Sequence, residues 1–155
     1  MPSNKEIFWL HYNYYMEVMI EIFTRRCNNT LLFLQFFLGG ASFANSSYGW
    51  LIGTLIGFCA AVQYTWNPGK VSSDARQQSL RYKKVRDIVD TLTTEELVKK
   101  LQKLEQTDST PLNSLNKPAY QRACISLGRS EKIKLTLVEK IISCIAGGTP
   151  GLGMR

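Results

Sequence analysis

The sequence predicts an all-α membrane protein: a two-helix transmembrane hairpin, with an N-terminal helix before it and a helical cytoplasmic domain after it. Three observations carry that expectation. Cys27 to Gly69 is a run of 43 residues without Asp, Glu, Lys, Arg or His. The run is broken by one polar turn, Asn45, Ser46, Ser47, Tyr48 and Gly49, and a helical crossing of the hydrocarbon core takes about 20 apolar residues. Alternation of period two extends over no useful length, so strands are not expected. Mean hydropathy over the whole chain, −0.12, hides this local concentration.

Residues 1–26 read as a cytoplasmic or interfacial helix. Ser3 followed by Glu6 is a capping-box start, and Glu21 precedes Arg25 by four residues in the favourable order. Phe8, Trp9, Tyr12, Tyr14, Tyr15 and Phe23 suit either the water–lipid boundary or packing on the C-terminal part. With no Pro or Gly before Gly39, the helix is free to continue into the first span. Residues 27–69 form the hairpin, with spans over about Thr30–Ala44 and Trp50–Trp66. A helical hairpin buried in a soluble domain is the alternative, but only Gln35, Ser42, Thr54 and Gln63 interrupt the apolar surface.

Asn67, Pro68 and Gly69 end the second span, and Ser72, Ser73 and Asp74 offer caps for a helix through about Thr91 with Leu80, Val85, Ile88 and Leu92 as its stripe. Thr93 with Glu96 opens a helix to Gln106 on which Leu97, Leu101 and Leu104 share a face. Asp108 to Lys117 reads as loop, Pro118 as the first turn of a helix ending near Gly128, and Ser130–Ala146 as a last helix burying Ile133, Leu137, Ile141 and Ile145. Residues 70–146 thus make a basic helical domain, and 147–155 a flexible tail.

Residues 1–69 hold three basic and three acidic residues, so the net charge of +7 belongs to residues 70–155. Arg25, Arg26, Lys70 and Arg76 flank the hairpin while its turn is uncharged, which puts both termini in the cytoplasm. Arg76, Arg81, Lys83, Lys84 and Arg86 run without an intervening acid. They suit anionic lipid headgroups, at about 1 kcal/mol each, or the phosphates of a nucleotide or single-stranded nucleic acid.

Chemistry of the usual catalytic kinds is not legible. His11 is the only histidine, no Cys/His spacing suits zinc, and no P-loop or glycine-rich phosphate loop follows a strand. The expectation is therefore no enzyme, no metal and no cofactor, with Cys27, Cys59, Cys124 and Cys144 as free thiols. Inside the hairpin, Asn28, Gln35 and Ser42 are seven apart with Gly39 beside them, a polar stripe that serves either as interhelical contact or as the lining of a pore. Gly53, Gly57 and Ala61 are four apart, the small-residue spacing of a helix-packing face. That face packs the hairpin on itself or joins copies of the chain; two helices cannot enclose a channel alone, but a homo-oligomer such as a tetramer can.

Taken in order, Arg25 and Arg26 at the membrane, two short spans, a Pro68 exit and a basic helix with Arg76, Arg81 and Tyr82 resemble the SLATT family over residues 5–127. These are two-transmembrane effectors associated with bacterial nucleotide-sensing conflict systems. The resemblance implies a pore-forming effector of antiphage defence in the bacterial inner membrane. Its ion channel would be gated by a nucleotide or oligonucleotide from a partner nucleotidyltransferase-type enzyme. It implies pore lining for the Asn28, Gln35 and Ser42 stripe and ligand sensing for the basic helix. Two other readings stay open: a non-channel membrane anchor for a basic protein- or nucleic-acid-binding module, and a holin-like lysis protein.

Overall fold

No glycine or proline interrupts the chain between Pro2 and Gly39, and helix α1 runs unbroken from Asn4 to Ala44. Its 41 residues make a rod of about 60 Å. The computed structural model describes residues 2–44, 48–129 and 133–148, the side chains of 41–44 excepted. After α1 come α2 (Gly49–Trp66), α3 (Pro68–Asp87), a 3₁₀ turn (Val89–Thr91), α4 (Thr94–Glu105), α5 (Asn113–Ser126) and α6 (Leu137–Ile145). Every regular element among the described residues is helical, as the sequence predicts.

α1 divides by environment and not by shape. As far as Thr24 it is the axis of a body: Met16, Met19 and Ile20 pack with Ala75, Leu115, Ala119 and Ala146, and Leu10 packs with Tyr82, Val85, Leu97 and Leu101. The aromatic side chains Tyr12, Tyr15 and Phe23 lie against the same clusters, so the N-terminal rings pack on the C-terminal part. Beyond Asn29 the rod emerges from the body with α2 alongside it. Cys59 is buried and Ile52, Ile56 and Gln63 half-buried, one face of α2 turned to α1.

The transmembrane expectation is overturned. Among the described residues no helix is long and apolar enough to cross a membrane. Absence of charge is not the same as apolarity: Asn28, Asn29 and Gln35 dilute the outer half of α1, while Thr54, Gln63, Thr65 and three glycines dilute α2. At 18 residues α2 is about 27 Å long, short of a hydrocarbon core of about 30 Å. Of the turn expected over Asn45–Gly49, residues 45–47 lie outside the described residues and Gly49 already opens α2; of the tail expected over 147–155, residues 149–155 lie outside them, while the Gly148 N–H returns to the Ser143 carbonyl.

Asn67 joins the hairpin to the body. It adopts a left-handed φ of 46°, closes α2 through its backbone N–H to the Gln63 carbonyl, and caps α3 by accepting from the Lys70 N–H. α3 therefore starts at Pro68, four residues before the expected caps at Ser72. Its buried face is Ser72, Ala75, Gln78, Ser79, Tyr82 and Val85, and the expected stripe fails at Leu80 and Ile88, which are exposed. Ser72 and Ala75 let the first half of α3 approach α1 closely, while Gln78 and Tyr82 are buried further along by their hydrogen bonds to Asp108.

α4 opens with the full Thr93–Glu96 capping box and buries Leu97 and Leu101. α5 starts five residues earlier than expected, so Pro118 lies inside it. It ends at Gly128, whose φ of 69° lets the Arg129 N–H return to the Cys124 carbonyl. α6 is shorter than expected, and its Leu137, Ile141 and Ile145 are exposed instead of buried. Ser143 and Ala146 face inward in their place.

Ala75→Leu forces a larger side chain into the α1–α3 contact and is expected to cost about 1–3 kcal/mol in urea unfolding. Leu80→Ala, on the exposed side of the same helix, should cost less than about 1 kcal/mol; the reverse order would refute the assignment of the packed face.

Candidate functional site

Three regions hold the residues singled out by the sequence. In the hairpin, Asn28 and Gln35 are half-buried, and the Asn28 amide lies where a Cβ on Gly69, in the first turn of α3, would meet it at 3.5 Å. Gly39 is half-buried with open space around it, and the Ser42 side chain lies outside the described residues. The outer surface is apolar: Phe36 is 81% exposed, Trp50 74% and Phe58 66%. Gly53, Gly57 and Ala61 are all exposed, and nothing lies within 4 Å of a Cβ built on either glycine. Packing of the hairpin on itself through that face is thus not what the fold uses; Ile52, Ile56 and Cys59 do it.

The basic residues of α3 do not converge. Arg76, Lys83 and Lys84 are exposed, and Arg86 lies over the Tyr14 ring at 4.4 Å with Asp87 at 4.0 Å. Arg81 alone enters a cleft of about 650 Å³ between α1, α3 and the α4–α5 loop, at the foot of the hairpin. Ile20, Trp66, Val71 and Leu112 give this cleft an apolar side; Asp74, Gln77, Thr107 and Thr110 line the polar side.

One wall is fixed by a buried polar network that sequence reading missed. The Gln78 amide donates to the Leu104 carbonyl at 2.6 Å and to Asp108 at 2.7 Å, and its oxygen accepts from Thr107 at 3.2 Å. The Tyr82 hydroxyl donates to the Asp108 carboxylate at 2.8 Å, and burial together with that carboxylate pushes the phenol well above its ordinary range. Glu17, on α1, accepts from the Ser109 N–H and hydroxyl, both at 2.8 Å. Loop 105–109 is thereby pinned from two helices, which preforms the cleft. The one legible signal is an acid, Glu17, three residues before the apolar Ile20 and so on the same helix face.

Arg81 keeps spare donors. Its Nη1 makes only long contacts of 3.4 Å, to Gln78 and Thr107, and among the described residues no carboxylate pairs with it. Elsewhere, the four cysteines are free thiols, and no three His, Cys, Asp or Glu side chains among the described residues gather as a metal centre.

With the geometry in view, the chain was compared with protein-family models, curated proteins and solved structures. None of the three comparisons found a match.

Burial lifts the Glu17 carboxyl from 4.5 to about 7, the Asp108 charge adding to it and the Ser109 hydrogen bonds opposing it. A carboxyl raised on folding holds its proton better in the folded chain, so stability falls as pH rises from about 4.5 through about 7, by about 3 kcal/mol. Glu17→Gln keeps partners for both Ser109 groups and should remove most of that fall. In urea unfolding monitored by circular dichroism the variant should be the more stable chain at pH 8; an unchanged pH slope would place the titration elsewhere.

Proposed function

We propose that the chain is a non-catalytic effector that acts on lipid bilayers as a homo-oligomer. Its apolar hairpin beds in the interfacial layer, copies meet through the open Gly53, Gly57 and Ala61 face, and the bilayer loses its barrier to ions. No helix has to cross the hydrocarbon by itself.

The observation that carries this is the extent and framing of the exposed apolar surface. Phe33, Phe36, Phe37, Trp50, Leu55 and Phe58 turn outward together, more than a single globular chain ordinarily leaves exposed. At the foot, Arg26 donates to the Cys144 and Ile145 carbonyls, bringing α6 beside the hairpin with Leu137, Val138, Ile141 and Ile145 exposed. A short helix with one apolar face and Lys140 on its other side suits the plane of a lipid surface. The cations Arg25, Arg26, Lys70 and Arg76 flank the same level, and Tyr64 and Trp66 add rings with polar edges, the composition of a headgroup boundary.

What remains of the resemblance to SLATT without its two spans, Arg25 and Arg26, the Pro68 exit and the basic helix, suggests the biological setting: antiphage defence at the bacterial inner membrane, beside a nucleotidyltransferase-type enzyme whose product controls the effector. In this reading the body senses and the hairpin acts.

Purified chain added to vesicles containing phosphatidylglycerol should bind them and release an entrapped dye. Phe36→Asp with Phe58→Asp should lower release about tenfold or more, since two buried aromatic contacts are lost, and Gly57→Leu should lower release while leaving binding intact. Absence of both binding and release, with and without a nucleotide panel, would sink the proposal.

A further inference from the structure

The cleft around Arg81 has the composition of a site for a small phosphate ester, and its limits say which kind. We infer that it takes a single-phosphate molecule bearing a flat ring, of nucleoside monophosphate size, and not a nucleic-acid strand. The ligand-controlled part of the proposed function is deepened by this, since the occupant would be the controlling ligand.

Four observations carry the inference. Arg81 offers a guanidinium that no described carboxylate neutralises, with only 3.4 Å contacts to give up, and such a fork matches phosphate oxygens. Trp66 lines the same cleft, its ring tilted 56° against Phe23 at 6.3 Å, so an aromatic surface stands at the apolar end, where a base or other flat ring gains from stacking. Gln77, Thr107 and Thr110 supply neutral donors and acceptors between the two ends, and Asp74 adds an acceptor for hydroxyl or amino groups. The volume, about 650 Å³, falls within the range of small-molecule sites.

The same lining excludes longer polyanions. Among the described residues Arg81 is the one cation in the lining, and Asp74 and Asp108 also line the cleft away from ion-pair distance of it, so a second or third phosphate would meet carboxylates. Arg76, Lys83 and Lys84, which a strand would need, are exposed outside the cleft. The wall is already rigid: Gln78 and Tyr82 hold Asp108, and Glu17 holds Ser109, so little ordering remains for a ligand to supply.

The test uses the full chain in mild detergent, carrying Trp9→Phe and Trp50→Phe so that Trp66 is the only indole. Probes are the four common nucleoside monophosphates, inorganic phosphate, adenosine, a single-stranded oligonucleotide and phosphatidylglycerol vesicles. At least one monophosphate should quench Trp66 saturably and more tightly than phosphate or adenosine. Arg81→Ala should weaken that binding about tenfold or more, the loss of a charge-assisted pair, while Lys84→Ala should change it less than about twofold. Arg81 is exposed, so an unchanged thermal midpoint will show that its variant is folded.

Three outcomes would overturn the inference: no saturable quenching by any monophosphate up to about 10 mM, the weak end of specific binding; quenching that survives Arg81→Ala; or Arg81-dependent quenching by the oligonucleotide or by vesicles alone, which would make the occupant a strand or a lipid headgroup. Dye release does not enter this readout, so a chain that binds the monophosphate but leaves vesicles intact would refute the proposed function and not the cleft.

Discussion

One helix has to satisfy two surroundings, and the rest of the molecule is arranged around that requirement. The inner part of α1 is covered by α3, α4, α5 and α6, while its outer part carries only α2. The change happens over about one turn. Phe23 meets Trp66, the Thr24 hydroxyl returns to the Ile20 carbonyl at 2.7 Å, Arg26 closes the C-terminus of α6, and Asn28 sits over Gly69. These contacts form a collar in which Thr24 and Arg26 find backbone carbonyl partners. Without it the helix would fray where its packing ends, because packing, more than propensity, supports helices in water.

The centre of the body is less apolar than its size suggests. Gln78, Tyr82, Ser72, Ser79 and Glu17 are all buried. Such groups are costly unless partnered, and here Gln78, Tyr82 and Glu17 meet Asp108 and Ser109 of the α4–α5 loop, Ser72 donates to the Glu21 carbonyl of α1, and Ser79 donates to the Arg76 carbonyl of its own helix. What they give in return is position. A loop held by Asp108 and Ser109 has one place to be, and the cleft above it inherits that definition.

Local chemistry was the legible part of the sequence. The Thr93–Glu96 box, the turn at Asn67 and the stop at Gly128 each depend on neighbours in sequence, and each is where those residues imply. The inner face of α3 was not legible, because periodicity assumes that apolar residues turn inward. Ser72, Ala75, Gln78, Ser79 and Tyr82, mostly small or polar, are inside, and Leu80 is outside. α6 fails the same rule in the opposite sense, its apolar side chains facing outward. Missing charges between Cys27 and Gly69 do not amount to lipid solubility, because amides, hydroxyls and glycines fill part of that interval. Arg81 could be picked out as a cation, but not its company. Trp66, Asp74 and the loop residues Thr107 and Leu112 come from three separate stretches and meet only when the chain has folded.

Asn67 ends one helix and begins the next with no spacer between them. Mechanically this makes α2 and α3 a crank with a single-residue pivot: a swing of the hairpin must turn α3, and α3 carries Arg81 and Gln78. Slack inserted at that pivot would leave both arms intact and uncouple them, so the stiffness of the connection resides in the shortness of a joint.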